Sequence, residues 1–121
     1  MGKRVLVVDD SAAVRQSVAY VLDQAGYEIV QAGDGQEALT KLDGQTFHLI
    51  ITDVNMPNMD GIELTRNVRT LDSYKFVPVV VLTTESQQDK MDAGKEAGAT
   101  GWIVKPFDSD KLLQVVKRLA G

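Results

Sequence analysis

The chain contains no cysteine. That excludes a disulfide framework and any thiolate metal site, and it fits a reducing compartment. No apolar run approaches the roughly 20 residues that a membrane-spanning helix needs. The short apolar stretch after Met1-Gly2-Lys3-Arg4 is also too brief for a secretion signal. A cytoplasmic protein without membrane contact is the expectation. Basic excess is lacking too: the net charge is −4, which argues against direct binding to nucleic acid. There is no linker, no low-complexity stretch and no repeat beyond an alternation of strand and helix patterns.

What is present is one domain's worth of chain. With 121 residues and a hydrophobic fraction of 44%, it can bury a core of its own. A single domain over 1–121, monomeric and without an output domain, is expected.

The clearest apolar runs are Val5-Leu6-Val7-Val8, Leu49-Ile50-Ile51 and Val79-Val80-Val81-Leu82. They are short, continuous and β-branched, as suits strands buried on both faces of a parallel sheet. Residues 27–32 and 102–104 are weaker strand candidates, placed at the edges.

Helical patterns fill the gaps. Val14, Val18, Val21, Leu22 and Ala25 share one face, and Gly26 follows as a stop. Asp34 with Glu37 reads as a capping box before Leu39 and Leu42. Asp60 with Glu63 repeats the device before Leu64, Val68 and Leu71. Asp108 caps a last helix carrying Leu112, Val115, Val116 and Leu119. Residues 87–97 make a poor helix, with a thin apolar face and Gly94 inside it. The glycine costs about 1 kcal/mol relative to alanine. Five β-α units predict a doubly wound α/β fold with a parallel five-stranded sheet.

Ligands of such sheets bind beyond the carboxyl ends of the strands. Asp9 and Asp10 follow the first strand, Asp53 the third, Thr83 and Thr84 the fourth, and Lys105 the fifth. Asp10 or Ser11 could simply cap the first helix, and Thr83 or Lys105 alone would mean little. The coincidence of four strand ends points to a site. Clustered carboxylates stay ionised together beside a divalent cation, and oxygen ligands suit Mg²⁺. A cation, a lysine and a hydroxyl can stabilise a phosphoryl group, and a carboxylate can accept one. The single histidine, His48, starts the third strand, away from this site, and reads as structural.

Four segments carry a resemblance: Val7-Val8-Asp9-Asp10-Ser11, Asp53-Val54-Asn55-Met56-Pro57-Asn58-Met59-Asp60-Gly61, Leu82-Thr83-Thr84-Glu85 and Lys105-Pro106-Phe107. Together, over essentially the whole chain, they resemble the receiver domain of bacterial response regulators, most of all the stand-alone CheY-like type. The resemblance implies the flavodoxin-like strand order 2-1-3-4-5, which periodicity alone does not supply.

It also implies roles. Asp53 is the phosphoacceptor of a two-component system. Asp10, Asp53 and the backbone carbonyl of Asn55 ligate Mg²⁺, with Asp9 acting through water. Thr83 and Lys105 contact the phosphoryl oxygens. The Lys105-Pro106 bond is cis, and Gly61 lets the loop approach closely. Asn55 and Glu85 tune hydrolysis of the acyl phosphate. Trp102 stands at a switch position usually held by Tyr or Phe, and Thr84 where a small residue is common. The implied partners are a sensor histidine kinase of the chemotaxis type, a target such as the flagellar motor switch, and a phosphatase. Such a protein is a signalling switch rather than an enzyme.

The shift on phosphorylation is expected in the weak helix after Thr83, the fifth strand and the last helix. Other outputs are a phosphate sink, a relay carrier or a binding module that is never phosphorylated. A phosphohydrolase would place a second acid where Asn55 stands. A flavin carrier would want a phosphate-cradling loop in place of Asp9-Asp10.

Overall fold

The computed structural model describes residues 3–84 and 88–120. Among the described residues, five strands and five helices alternate: β1 (Arg4–Val8), α1 (Ala12–Gln24), β2 (Glu28–Ala32), α2 (Gly35–Lys41), β3 (Leu49–Asp53), α3 (Gly61–Thr70), β4 (Val79–Thr84), α4 (Gln88–Ala97), β5 (Gly101–Lys105) and α5 (Ser109–Ala120). All strand pairs are parallel, in the order β2-β1-β3-β4-β5. The two weak strand patterns do form the edges.

Side-chain alternation divides the sheet into two faces. Val5, Val7, Leu49, Ile51, Val80, Leu82 and Ile103 pack with α1 and α5. Leu6, Val8, Ile50 and Val79 pack with α2 and α3, and Val81 packs with Ile62 and with Ala97 of α4. This explains the unbroken apolar runs, since β1 and β3 are buried on both sides. Trp102, adjacent to inward-facing Ile103, falls on the opposite face and is 38% exposed.

The caps follow the sequence. Ser11, not Asp10, caps α1, its Oγ accepting from Val14 N–H at 3.3 Å. Asp34, Asp60 and Asp108 cap α2, α3 and α5, accepting from Glu37, Glu63 and Lys111 N–H at 2.8, 2.8 and 2.7 Å. The return contact of Glu37 goes to Gly33 N–H rather than to Asp34, one residue earlier than a capping box has it. Helix α1 ends at Ala25, with Gly26 at a φ of +96°.

His48 has a structural part. Its Nδ1 accepts from Arg4 N–H at 3.1 Å, and its own N–H donates to the Arg4 carbonyl at 2.8 Å. The two bonds pin the entry of β3 to that of β1.

Candidate functional site

The carboxyl ends of β1, β3, β4 and β5 meet at one edge. Strand register aligns them: Val8 pairs with Thr52, Asp53 with Leu82, and Thr84 with Lys105. With Ser11 capping α1, Asp10 is free of that duty and lies exposed, while Asp9 is only 1% exposed. Asp9 Oδ1 accepts from Ser11 N–H at 2.9 Å. Its Oδ2 is buried with no hydrogen-bond partner.

Oxygens of Asp9, Asp10 and Asp53 lie within 4.8 Å of one another. The Lys105 ammonium stands 3.1 Å from Asp53 Oδ1 and 3.6 Å from Asp9 Oδ2. One ammonium thus pairs with two of the three acids. Burial raises the Asp9 carboxyl above its ordinary range; the Ser11 N–H pulls it down, Asp53 pushes it up, and Lys105 and Asp10 add smaller opposing effects.

Thr83, at the end of β4, is fully buried, and its Oγ has no hydrogen-bond partner. An unmet buried hydroxyl costs about 1–3 kcal/mol, so a group arriving beside it has a donor waiting. Thr84 is half-buried and lines an apolar cavity of about 620 Å³ with Lys105, Pro106, Phe107 and residues of α1 and α5. The Lys105-Pro106 bond is cis. Glu85 lies outside the described residues.

After Asp53 the chain enters the loop of residues 54–60, with Asn55 exposed. Gly61 closes this loop, its N–H donating to the Val54 carbonyl at 2.9 Å. A Cβ on Gly61 would meet the Asp53 carbonyl oxygen at 2.0 Å, so only glycine permits this approach.

The donor set fits a hard divalent cation. Three carboxylates converge with one lysine opposite, and the buried, unpartnered Asp9 Oδ2 is an acceptor whose need a metal or its water can meet.

The sequence motifs did not single out three further residues. Arg15 of α1 donates to the Asp9 carbonyl at 2.7 Å and to Gln31 Oε1 at 3.1 Å. Asn58 has a φ of +69°, and its Nδ2 donates to Asp34 Oδ2 at 3.0 Å. Arg69 ties α3 to the turns before β4 and β5 through the carbonyls of Val77 at 2.6 Å and Gly98 at 2.7 Å. Asn after Pro57 was a turn signal, since asparagine tolerates positive φ. Nothing local announced the partners of the two arginines.

A doubly wound sheet with an acidic pocket and a lysine at its carboxyl edge defines a class. The chain belongs to the response regulator receiver domain family, whose model matches residues 5–117. Among solved structures it resembles the chemotaxis protein CheY4 of Vibrio cholerae, with 48% identity, a TM-score of 0.93, and coverage of 98% of this chain and 99% of that one. It also resembles the receiver domain of the sensor histidine kinase PA1611 of Pseudomonas aeruginosa, with 26% identity, a TM-score of 0.92, and coverage of 100% and 99%. That structure carries a magnesium ion coordinated in its active-site cleft.

A curated relative is the CAI-1 autoinducer sensor kinase/phosphatase CqsS of Vibrio cholerae, 39% identical over 94% of this chain. The chain spans 17% of that kinase, and 55% of the length of the transcriptional regulatory protein PdtaR of Mycobacterium tuberculosis, to which it is 40% identical. Among the described residues, no helix is long and apolar enough to cross a membrane.

Proposed function

We propose that this receiver domain is a cytoplasmic phosphorylation switch in which Asp53 takes a phosphoryl group from a histidine kinase. The observation that carries the reading is the Lys105 ammonium 3.1 Å from Asp53 Oδ1, beside two further acids and an unpartnered Thr83 hydroxyl.

The transfer breaks the N–P bond of a phosphohistidine and forms an O–P bond to an Asp53 oxygen, leaving the imidazole to take up a proton. A carboxylate oxygen of Asp53 is the nucleophile. Asp10, Asp53 and the Asn55 carbonyl would hold Mg²⁺, with Asp9 reaching it through water. Bound there, Mg²⁺ supplies positive charge for the phosphoryl oxygens. Lys105 gives its ammonium to a phosphoryl oxygen and loosens its hold on Asp53. Thr83 donates its hydroxyl to another.

The domain is a switch rather than an enzyme in its own right. Its chemistry is confined to its own phosphoryl group, with Asn55 and Glu85 tuning the hydrolysis and a phosphatase as a further partner. Thr83, Val81 and Trp102 share the α4 side of the sheet, because Trp102 is the register partner of Val81. As Thr83 turns toward the phosphoryl group, Trp102 has an inward path, and α4, β5 and α5 change the surface they offer a target. Likeness to CheY4 makes a chemotaxis partner, such as a flagellar motor switch, the first choice. Likeness to a sensor kinase favours a second output, phosphorelay carrier or phosphate sink.

The test is intact mass after incubation with a small phosphodonor. Wild type with Mg²⁺ is expected to gain one phosphoryl group. Wild type without Mg²⁺, and Asp53→Asn in either condition, are expected to gain none. Absence of the adduct throughout would point to a phosphorylation-independent binding module.

A further inference from the structure

The loop of residues 54–60 carries the Asn55 carbonyl, and past the fully buried Val54 its packing is only partial. Asn55, Pro57 and Asn58 are exposed, and Met56 and Met59 are only partly buried. Its shape is fixed in three places. At its end, the Gly61 N–H bonds to the Val54 carbonyl. In its middle, the Met59 N–H donates to the Pro57 carbonyl at 2.7 Å, a tight turn around Asn58 at positive φ. Outside it, α2 supplies the anchor. Asn58 donates to Asp34 Oδ2, and Met59 lies against Gly35 so closely that a Cβ there would meet Met59 Cγ and its carbonyl oxygen at 2.8 Å.

Asp34 therefore holds two things at once. One oxygen caps α2 through Glu37 N–H, and the other receives Asn58. Both bonds favour the charged form and hold its carboxyl below the ordinary range, the cap most and Asn58 next. Asn58 is not needed for the backbone conformation, which glycine adopts more freely. Its distinct contribution is the side-chain bond to α2.

We infer that Asp34 and Asn58 are positioning residues for the metal site: the latch between them sets the Asn55 carbonyl where it can ligate. The inference rests on the Mg²⁺ reading above. An unlatched loop must be ordered when the ion binds, and that ordering weakens affinity.

Two variants separate the latch from other roles. Asp34→Ser keeps an oxygen for the cap and loses the one for Asn58. Asn58→Gly keeps the positive φ and every charge. Mg²⁺ affinity is read from backbone amide shifts across a Mg²⁺ titration, and stability from urea midpoints without Mg²⁺. Each variant is expected to bind Mg²⁺ about three- to tenfold more weakly, the worth of one net hydrogen bond. The double variant is expected to bind no more weakly than the worse single one, because both remove the same contact. The exchanged pair, Asp34→Asn with Asn58→Asp, re-forms the bond with donor and acceptor reversed and is expected to recover most of the affinity. Wild-type affinity in Asn58→Gly, whatever its urea midpoint, overturns the inference and leaves the Mg²⁺ reading intact. A wild type without a saturable response to Mg²⁺ overturns both.

Discussion

Gly61 lies so close beneath Asp53 that the aspartate's own carbonyl oxygen occupies the space a side chain would need, 2.0 Å from an ideal Cβ. The neighbour is backbone and cannot swing aside. Gly61→Ala is expected to push β3's end and the loop apart, with a cost of about 1–3 kcal/mol. A lowered urea midpoint with slower phosphoryl uptake is the expected result; unchanged values for both would show that the loop yields freely.

Asp9 makes the metal-free protein sensitive to pH. Its folded pKa is raised, first by burial, so the folded chain binds this proton more tightly than the unfolded chain does. The stability it contributes is fully present below the ordinary value of 3.8 and is lost as pH rises through the raised folded value. Asp9→Asn keeps the amide acceptor for Ser11 N–H and removes the charge. Without divalent ions, the variant is expected to be more stable than wild type at pH 7, with the advantage shrinking as pH falls toward 4. Urea midpoints over a pH series check this; a constant gap would contradict it.

Helix α4 carries an avoidable cost. A Cβ on Gly94 would meet only Ala99 Cβ and Val81 Cγ2, both at 3.9 Å, which is ordinary contact. Gly94→Ala is expected to stabilise the protein by about 0.5–1 kcal/mol. Thermal unfolding reads it, and a loss of stability would reveal crowding that these distances do not contain.

Arg69 spans three segments from one side chain. Its N–H groups reach Gly98 O twice, at 2.7 and 3.0 Å, and Val77 O at 2.6 Å. Burial lowers its pKa from the ordinary guanidinium value. Arg69→Ala strands these carbonyls and is expected to cost about 2–3 kcal/mol. Arg69→Lys should recover only part, since one ammonium lacks the fork. Amide exchange is expected to quicken at the end of α4, the point where Gly98 is held; protection equal to wild type would sink the assignment.

Most of the architecture could be read from the chain because both signals were local. Val79-Val80-Val81-Leu82 is apolar at every position because both faces of β4 are covered, and Asp60 or Asp108 caps a helix within its own turn. The strand order was different. Which strands lie beside β1 depends on contacts between residues far apart in the chain, 24 for Arg4 with Glu28 and 44 for Arg4 with His48, and only family likeness supplied it. The site divided the same way. Asp9, Asp53 and Lys105 were legible as strand-end residues. Arg15, whose bond reaches the Asp9 carbonyl, looked like any solvated arginine in an amphipathic helix. Asp34 was legible as a cap, and its second oxygen's partner was not, because Asn58 lies 24 residues away.

The acidic cluster and its lysine come from residues 9, 10, 53 and 105, carried at the ends of three separate strands. No fragment of the chain holds enough of them to accept a phosphoryl group. On the proposed mechanism, a nascent chain still emerging, or a molecule in which β5 has come away, lacks the ammonium and so takes no phosphoryl group from a kinase. That chemistry would then double as a check on assembly, open only to molecules that have finished folding.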